Sequence, residues 1–199
     1  MGKLEEKRVH EYRLGDLVTI PSKSIRPKKD SDHPLFVFSL PAYDNGQQPE
    51  ATILSDLKSA KNALDEPAVL ISKLNPHIPR VWKVATPPVG ACCSPEFFPL
   101  VVNDPCQVDL GFLYYYVLNS MRELAGKITG STNSHKRLQK QTILSLKVHL
   151  PSLEHQREIA NILDTFTDLE AELEAELEAR RKQYTFYREK LLAPPPIDH

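Results

Sequence analysis

With 199 residues, 41% of them apolar, the chain can bury one ordinary core and carry one appendage, and two full domains would be a squeeze. No apolar run reaches the roughly 18 to 20 residues that span a bilayer, and the opening MGKLEEKRVHEYR is too charged for a secretory signal. The expectation is a cytoplasmic protein with no membrane segment. Its net charge of -1 hides a division: residues 1–150 hold 19 Lys and Arg against 15 Asp and Glu (+4), and residues 151–199 hold 6 against 11 (-5).

Thirteen of the 17 prolines lie between Pro21 and Pro105, so a helix of any length fits there only in the proline-free gap from Glu50 to Glu66. Strands are predicted at LVTI (Leu17 to Ile20), LFVFSL (Leu35 to Leu40), AVLISKL (Ala68 to Leu74), VWKVAT (Val81 to Thr86) and FFPLVV (Phe97 to Val102). In the gap, Ile53, Leu57, Ala60 and Leu64 are spaced like a short helix face. Cys92, Cys93 and Cys106 lack the C-x-x-C spacing of a structural zinc site and read as buried free thiols. No metal and no cofactor is called for.

After Pro105 the pattern changes. Leu110, Leu113, Tyr114, Val117, Met121 and Leu124 recur at helical spacing, with Asp109 as N-cap and Gly126 as a C-terminal stop. The consecutive Tyr114, Tyr115 and Tyr116 point to different faces of that helix and read as core and interface. A Gly-Ser-Thr-Asn loop, a short helix or turn near Leu138 to Ser145 and a strand LKVHL close an α+β module over residues 10–150.

Residues 153–192 predict one long helix. Ile159, Ile162, Phe166, Leu169 and Leu173 alternate steps of three and four; after a stutter at Leu177, the seam resumes at Tyr184, Tyr187 and Leu191. The glutamates from Glu170 to Glu178 flank the first half of this seam, and Arg180, Arg181, Lys182 and Arg188 flank the second. Such a stripe needs a second helix, and an acidic half followed by a basic half suits a copy of itself running antiparallel. APPPIDH cannot continue the helix, so residues 193–199 read as a tail.

The motif search turns up no glycine-rich cofactor loop and no Asn/Asp-Pro-Pro-aromatic methyltransferase motif. Glu50, Asp56 and Lys58 loosely match the acidic-plus-lysine set of Mg²⁺ nucleases, although a solvated helix face explains them as well. Two basic segments carry no acid: Lys73, His77, Arg80 and Lys83 in one, and Lys127, Lys136, Arg137 and Lys140 in the other, beside Ser131, Thr132 and His135. Slim Gly, Ser and Thr backbone next to Lys and Arg suits approach to phosphates and base edges, so the two segments suggest one electropositive face.

LISKLNPHIPRVWKV, the GSTNSHKRL loop and LPSLEHQREIANILDTFTDLEAELEAELEARRKQYTFYREKLL together resemble the specificity (S) subunits of type I restriction-modification systems. YRLGDLVTI from Tyr12 and SLPAYDNG from Ser39 fit the early part of a target-recognition domain in that family. The resemblance covers nearly the whole chain, yet a complete S subunit resembles two such units in tandem. The start and the proline-rich stop favour a self-contained half-subunit.

The resemblance implies a non-catalytic subunit that reads double-stranded DNA and holds methyltransferase (M) subunits, with restriction (R) subunits joining for cleavage. It implies Lys73, Arg80, Lys83, Ser131, Thr132, His135, Lys136 and Arg137 as DNA-binding candidates. In that family two long helices lie antiparallel, so two copies of this chain are expected to pair as a homodimer through antiparallel long helices, joined at Ile159, Ile162, Phe166, Leu169, Leu173, Leu177, Tyr184, Tyr187 and Leu191. Two rival readings stand beside it: a coiled-coil interaction protein with no DNA role, and a stand-alone Mg²⁺ nuclease.

Overall fold

The computed structural model describes residues 10–126 and 137–193. The chain divides into two compact units, Met1–Ile159 and Ala160–His199.

The first unit is built on three sheets. β1 (His10–Arg13) and β11 (Lys147–Leu150) pair antiparallel and bring the two ends of the module together. A four-stranded antiparallel sheet runs in the order β2 (Val18–Thr19), β10 (Phe97–Val102), β7 (Ala68–Ser72), β8 (Val81–Val84). A five-stranded sheet runs β3 (Ser24–Ile25), β6 (Lys61–Ala63), β9 (Ala91–Cys93), β4 (Pro34–Phe38), β5 (Glu50–Ile53), and in it only β4 and β9 are parallel.

Packing explains the sequence of β7. All five residues of AVLIS are buried because both faces of the strand are covered. Val69 and Ile71 join the cluster of Leu100, Leu113, Val117 and Met121, which comprises one face of the sheet and the helix α3 (Leu110–Gly126). Ala68 and Leu70 join Phe38, Trp82, Ala91, Cys93 and Phe97 between the two large sheets. A strand buried on both sides reads as a continuous apolar run. Pro99 is tolerated inside β10 because β2 pairs only with Val101 and Val102, leaving the edge beside Pro99 open.

The short helices are set by local caps. In α1 (Leu14–Leu17) the Arg13 N–H donates to Asp16 Oδ2 at 3.2 Å. In α2 (Leu40–Asp44) Ser39 Oγ accepts from the Ala42 N–H at 3.1 Å. Asp109 caps α3 as its spacing predicts, accepting from the Phe112 N–H at 2.9 Å. α4 (Lys140–Leu144) precedes β11.

The α+β class and most strands agree with the sequence, with three corrections. The short helix expected through Ile53, Leu57, Ala60 and Leu64 is instead β5, a 3-10 turn at Leu54–Asp56 and β6. Leu57 packs with Leu35, Val37 and Cys92, while Leu64 packs with Phe38 and Trp82 in a separate cluster, a division that one helix face does not make. LVTI is divided between the end of α1 and the two-residue β2, because Leu14 and Leu17 both turn into the core. Cys92 and Cys93 are buried thiols whose pKa values burial pushes up to about 11 and about 12, but Cys106 lies exposed in the turn that precedes α3.

α5 (Leu153–Leu192) is one helix of 40 residues, about 60 Å long at about 1.5 Å per residue. Within the first unit its opening turns are fixed by Gln156, whose side chain is fully buried. Gln156 Oε1 accepts from the Asp109 N–H at 2.9 Å, while Nε2 donates to Gln107 O at 3.0 Å and Pro151 O at 2.9 Å. Of the expected tail, residues 194–199 lie outside the described residues.

Candidate nucleic-acid interface

The β7–β8 hairpin carries the first basic segment. Its connection is held tightly: Asn75 adopts a positive φ of 47°, the Ile78 N–H donates to Asn75 O at 2.8 Å, and the Ser72 N–H donates to Arg80 O at 3.0 Å. Ser72 Oγ also accepts from the Leu74 N–H at 3.1 Å and donates to Leu74 O at 3.0 Å. A turn with so many internal bonds presents its side chains in one arrangement.

The second basic segment meets the first through its backbone. Leu74 and Arg137 form an antiparallel bridge, and the Leu138 N–H donates to Lys73 O at 2.8 Å. Two stretches far apart in sequence thus lie side by side.

Each candidate has a distinct setting. Lys73 Nζ donates to Pro95 O and sits 4.4 Å from the centroid of the Phe98 ring; burial pulls its pKa down. Arg80 is engaged by Asp44 in a fork, Nε to Oδ1 at 2.7 Å and Nη2 to Oδ2 at 2.9 Å, with its side chain only 16% exposed. That hydrogen bond raises the Arg80 pKa and lowers the Asp44 pKa. Lys83 lies 5.5 Å and 5.7 Å from the centroids of the Tyr114 and Tyr115 rings. Arg137 Nη2 reaches Glu96 Oε1 at 3.2 Å, and its side chain is 55% exposed. Ser131, Thr132, His135 and Lys136 lie outside the described residues.

Two carboxylates therefore sit among these cations, Asp44 and Glu96, and acid-free stretches of sequence gave no sign of either. Strand pairing supplies the missing signal for Glu96. Because Phe97 faces Ser72 in the β10–β7 register, the residue before Phe97 falls beside Lys73, and the Lys73 N–H donates to Glu96 O at 2.8 Å. Asp44 comes from α2, whose contact with the hairpin no local pattern announces.

Glu50, Asp56 and Lys58 are all exposed, on β5 and around the 3-10 turn. Among the described residues no group of three or more His, Cys, Asp or Glu is arranged to hold a metal ion. No helix among them is long and apolar enough to cross a membrane.

The predicted helix seam divides at its start. Ile159 is half-buried against the core of the first unit. Ile162, Phe166, Leu169, Leu173, Leu177, Tyr184, Tyr187 and Leu191 are exposed, from 47% at Leu169 to 80% at Leu191, as are Phe186 and Leu192 outside the seam. Within the single chain, Arg180 pairs with Glu176 at 3.3 Å and Lys182 with Glu178 at 2.6 Å, one helical turn apart.

Residues 6–179, which take in the sheets and most of the long helix, match the family described as the type I restriction modification DNA specificity domain. The chain belongs to that family. It is 40% identical over 102 residues to a putative type I restriction enzyme specificity subunit of Haemophilus influenzae, covering 46% of this chain and 25% of that one. It is 38% identical over 91 residues to the EcoR124I/EcoR124II specificity subunit of Escherichia coli, covering 42% and 21%.

Among solved structures, the HsdS subunit from Thermoanaerobacter tengcongensis has the same fold over 100% of this chain and 52% of its own, at a TM-score of 0.69 and 18% identity. A structure from a study of complex assembly in the type I restriction-modification system superposes with a TM-score of 0.71 and 17% identity, over 100% and 53%. The chain thus spans about half of these solved chains and about a quarter of the curated relatives it matches. The family is one of non-catalytic DNA-recognition subunits, which sets aside the nuclease and the DNA-independent coiled coil.

Proposed function

We propose that this chain, with its one recognition module and one long helix, works as a specificity subunit in the cytoplasm, reading one half of a bipartite double-stranded DNA target and docking M subunits, with R subunits joining for cleavage. The observation that carries the reading is the family match across both the module and the long helix. DNA is read by the hairpin and the segment beside it: Lys73, Arg80, Lys83 and Arg137, with Ser131, Thr132, His135 and Lys136. Arg and Lys suit guanine edges, and Ser and Thr suit a base or a phosphate. Arg80 joins by exchanging Asp44 for DNA, and Arg137 by exchanging Glu96.

Two copies pair antiparallel through the helix seam, and the two-fold axis makes the two half-sites identical, giving a palindromic bipartite target. A helix of about 60 Å spans more than the roughly 34 Å of one B-DNA turn, so the helix pair serves as a ruler for the spacer. Methylated positions mapped in a genome, with and without this chain while its M subunit is present, test the whole reading. The expected map shows inverted repeats separated by a fixed spacer; methylation that does not depend on the chain overturns it. A chain that sediments as a monomer at micromolar concentration overturns the homodimer alone.

A further inference from the structure

Glu96 is the feature of the proposed reading face that its function does not yet use. A carboxylate repels phosphates, so a face built only for affinity would not keep one between Lys73 and Arg137. Its two oxygens differ. Oε1 is held by Arg137, while Oε2 is shut off from solvent and has no hydrogen-bond partner among the described residues. The Arg137 side chain is more than half exposed and can exchange Glu96 for a phosphate, whereas the Glu96 backbone is fixed by the Lys73 N–H donating to its carbonyl at 2.8 Å and by its own N–H donating to Ser94 Oγ at 3.2 Å. Once Arg137 turns away, Oε1 is an open acceptor with no donor on it among the described residues.

The donors that a major groove offers are exocyclic amino groups, cytosine N4 and adenine N6. Adenine places its N7 acceptor beside N6, where it meets the negative charge of the carboxylate, whereas cytosine has no acceptor beside N4 in the major groove, so Oε1 takes a cytosine N4–H without that repulsion. We propose that Glu96 is a specificity-determining residue that accepts from cytosine N4 at one position of the half-site. The inference rests on the DNA-reading assignment above and deepens it. A site whose acceptor is left unpaired by the wrong base rejects that base more sharply than a loss of apolar contact does.

The test is selection of full-chain protein on a randomised duplex pool, followed by sequencing, with wild type, Glu96→Gln and Glu96→Asp. Wild type is expected to select cytosine at one position by about tenfold over other bases. Glu96→Gln, whose amide both donates and accepts, is expected to shift that position toward adenine while binding to random DNA stays within about twofold. Glu96→Asp, with its carboxylate drawn back, is expected to blur the preference. The same consensus from all three proteins overturns the role of Glu96 and leaves the reading face standing. Equal loss on every sequence makes Glu96 a structural pin for Arg137 and overturns it as well. A wild-type chain that selects no sequence overturns the DNA-reading assignment, and the Glu96 inference with it.

Discussion

The sheet module and the long helix draw on the same apolar residues and use them in opposite ways. In the module, Leu70, Ile71, Phe97, Leu100 and Leu113 are buried to 1% exposure or less, and β7 is covered on both faces. In the helix beyond Ile162, the leucines of the seam stand at 47% exposure or more. Periodicity in a sequence reports which face is apolar and is silent about whose surface covers it. A strand apolar on both faces finds its cover within the same chain; the heptad stripe flanked by charge finds none among the described residues of its own chain.

The contrast is sharpened by making one chemical change in both regions. Leu100→Ala removes a side chain from the cluster under α3 and is expected to destabilise the module by about 2–5 kcal/mol, read from urea or thermal unfolding of the full chain. Leu173→Ala is expected to change that unfolding by less than about 0.5 kcal/mol at concentrations where the chain is monomeric, and to weaken self-association instead. Equal losses from the two substitutions in the monomer would erase the distinction between the regions.

Gln156 is the exception within the helix, and a smaller effect is expected there. It is a buried polar residue whose three bonds go to backbone groups outside α5, in the α3 N-terminus and the segments before α3 and α5. Gln156→Leu keeps the bulk and leaves the Asp109 N–H without its partner, an expected loss of about 1–3 kcal/mol in the same unfolding measurement. An unchanged midpoint would mean that these groups find other partners, and that the opening turns of α5 belong with its exposed remainder.

The sequence was legible where local chemistry decides structure. Asp109 as a cap, FFPLVV as a strand, and the helix from Leu153 to Leu192 follow from residue types within one or two turns. It misled where long-range pairing decides. Ile53 and Leu57 carry helical spacing, but β4 recruits Glu50–Ile53 as an edge strand and Leu57 packs beneath that sheet. The candidate site is legible in the same uneven way. Lys73, Lys83 and Arg137 stand out as cations without acids nearby in sequence, but Asp44 and Glu96 arrive through packing of α2 and through the β10–β7 register. Charge counted along a chain is blind to neighbours brought in by a sheet.

Exposed ion pairs give the smallest effects and the finest test of the comparison, since both regions have them. Lys23 meets Asp65 at 2.6 Å in the module, and Lys182 meets Glu178 at 2.6 Å in the helix, all four side chains being more than 60% exposed. Solvent screens such pairs, so Lys23→Ala and Lys182→Ala are each expected to leave monomer unfolding within about 1 kcal/mol of wild type. Charge reversal separates the regions. Lys23→Glu is expected to leave association unchanged, whereas Lys182→Glu sets like charge against the glutamates of a reversed copy and weakens it at low salt. At about 1 M salt, where the screening length falls to about 3 Å, that difference is expected to vanish in sedimentation. If Lys182→Glu associates as wild type does at low salt, the basic half of α5 is satisfied within its own helix, and antiparallel order is set by the apolar seam alone.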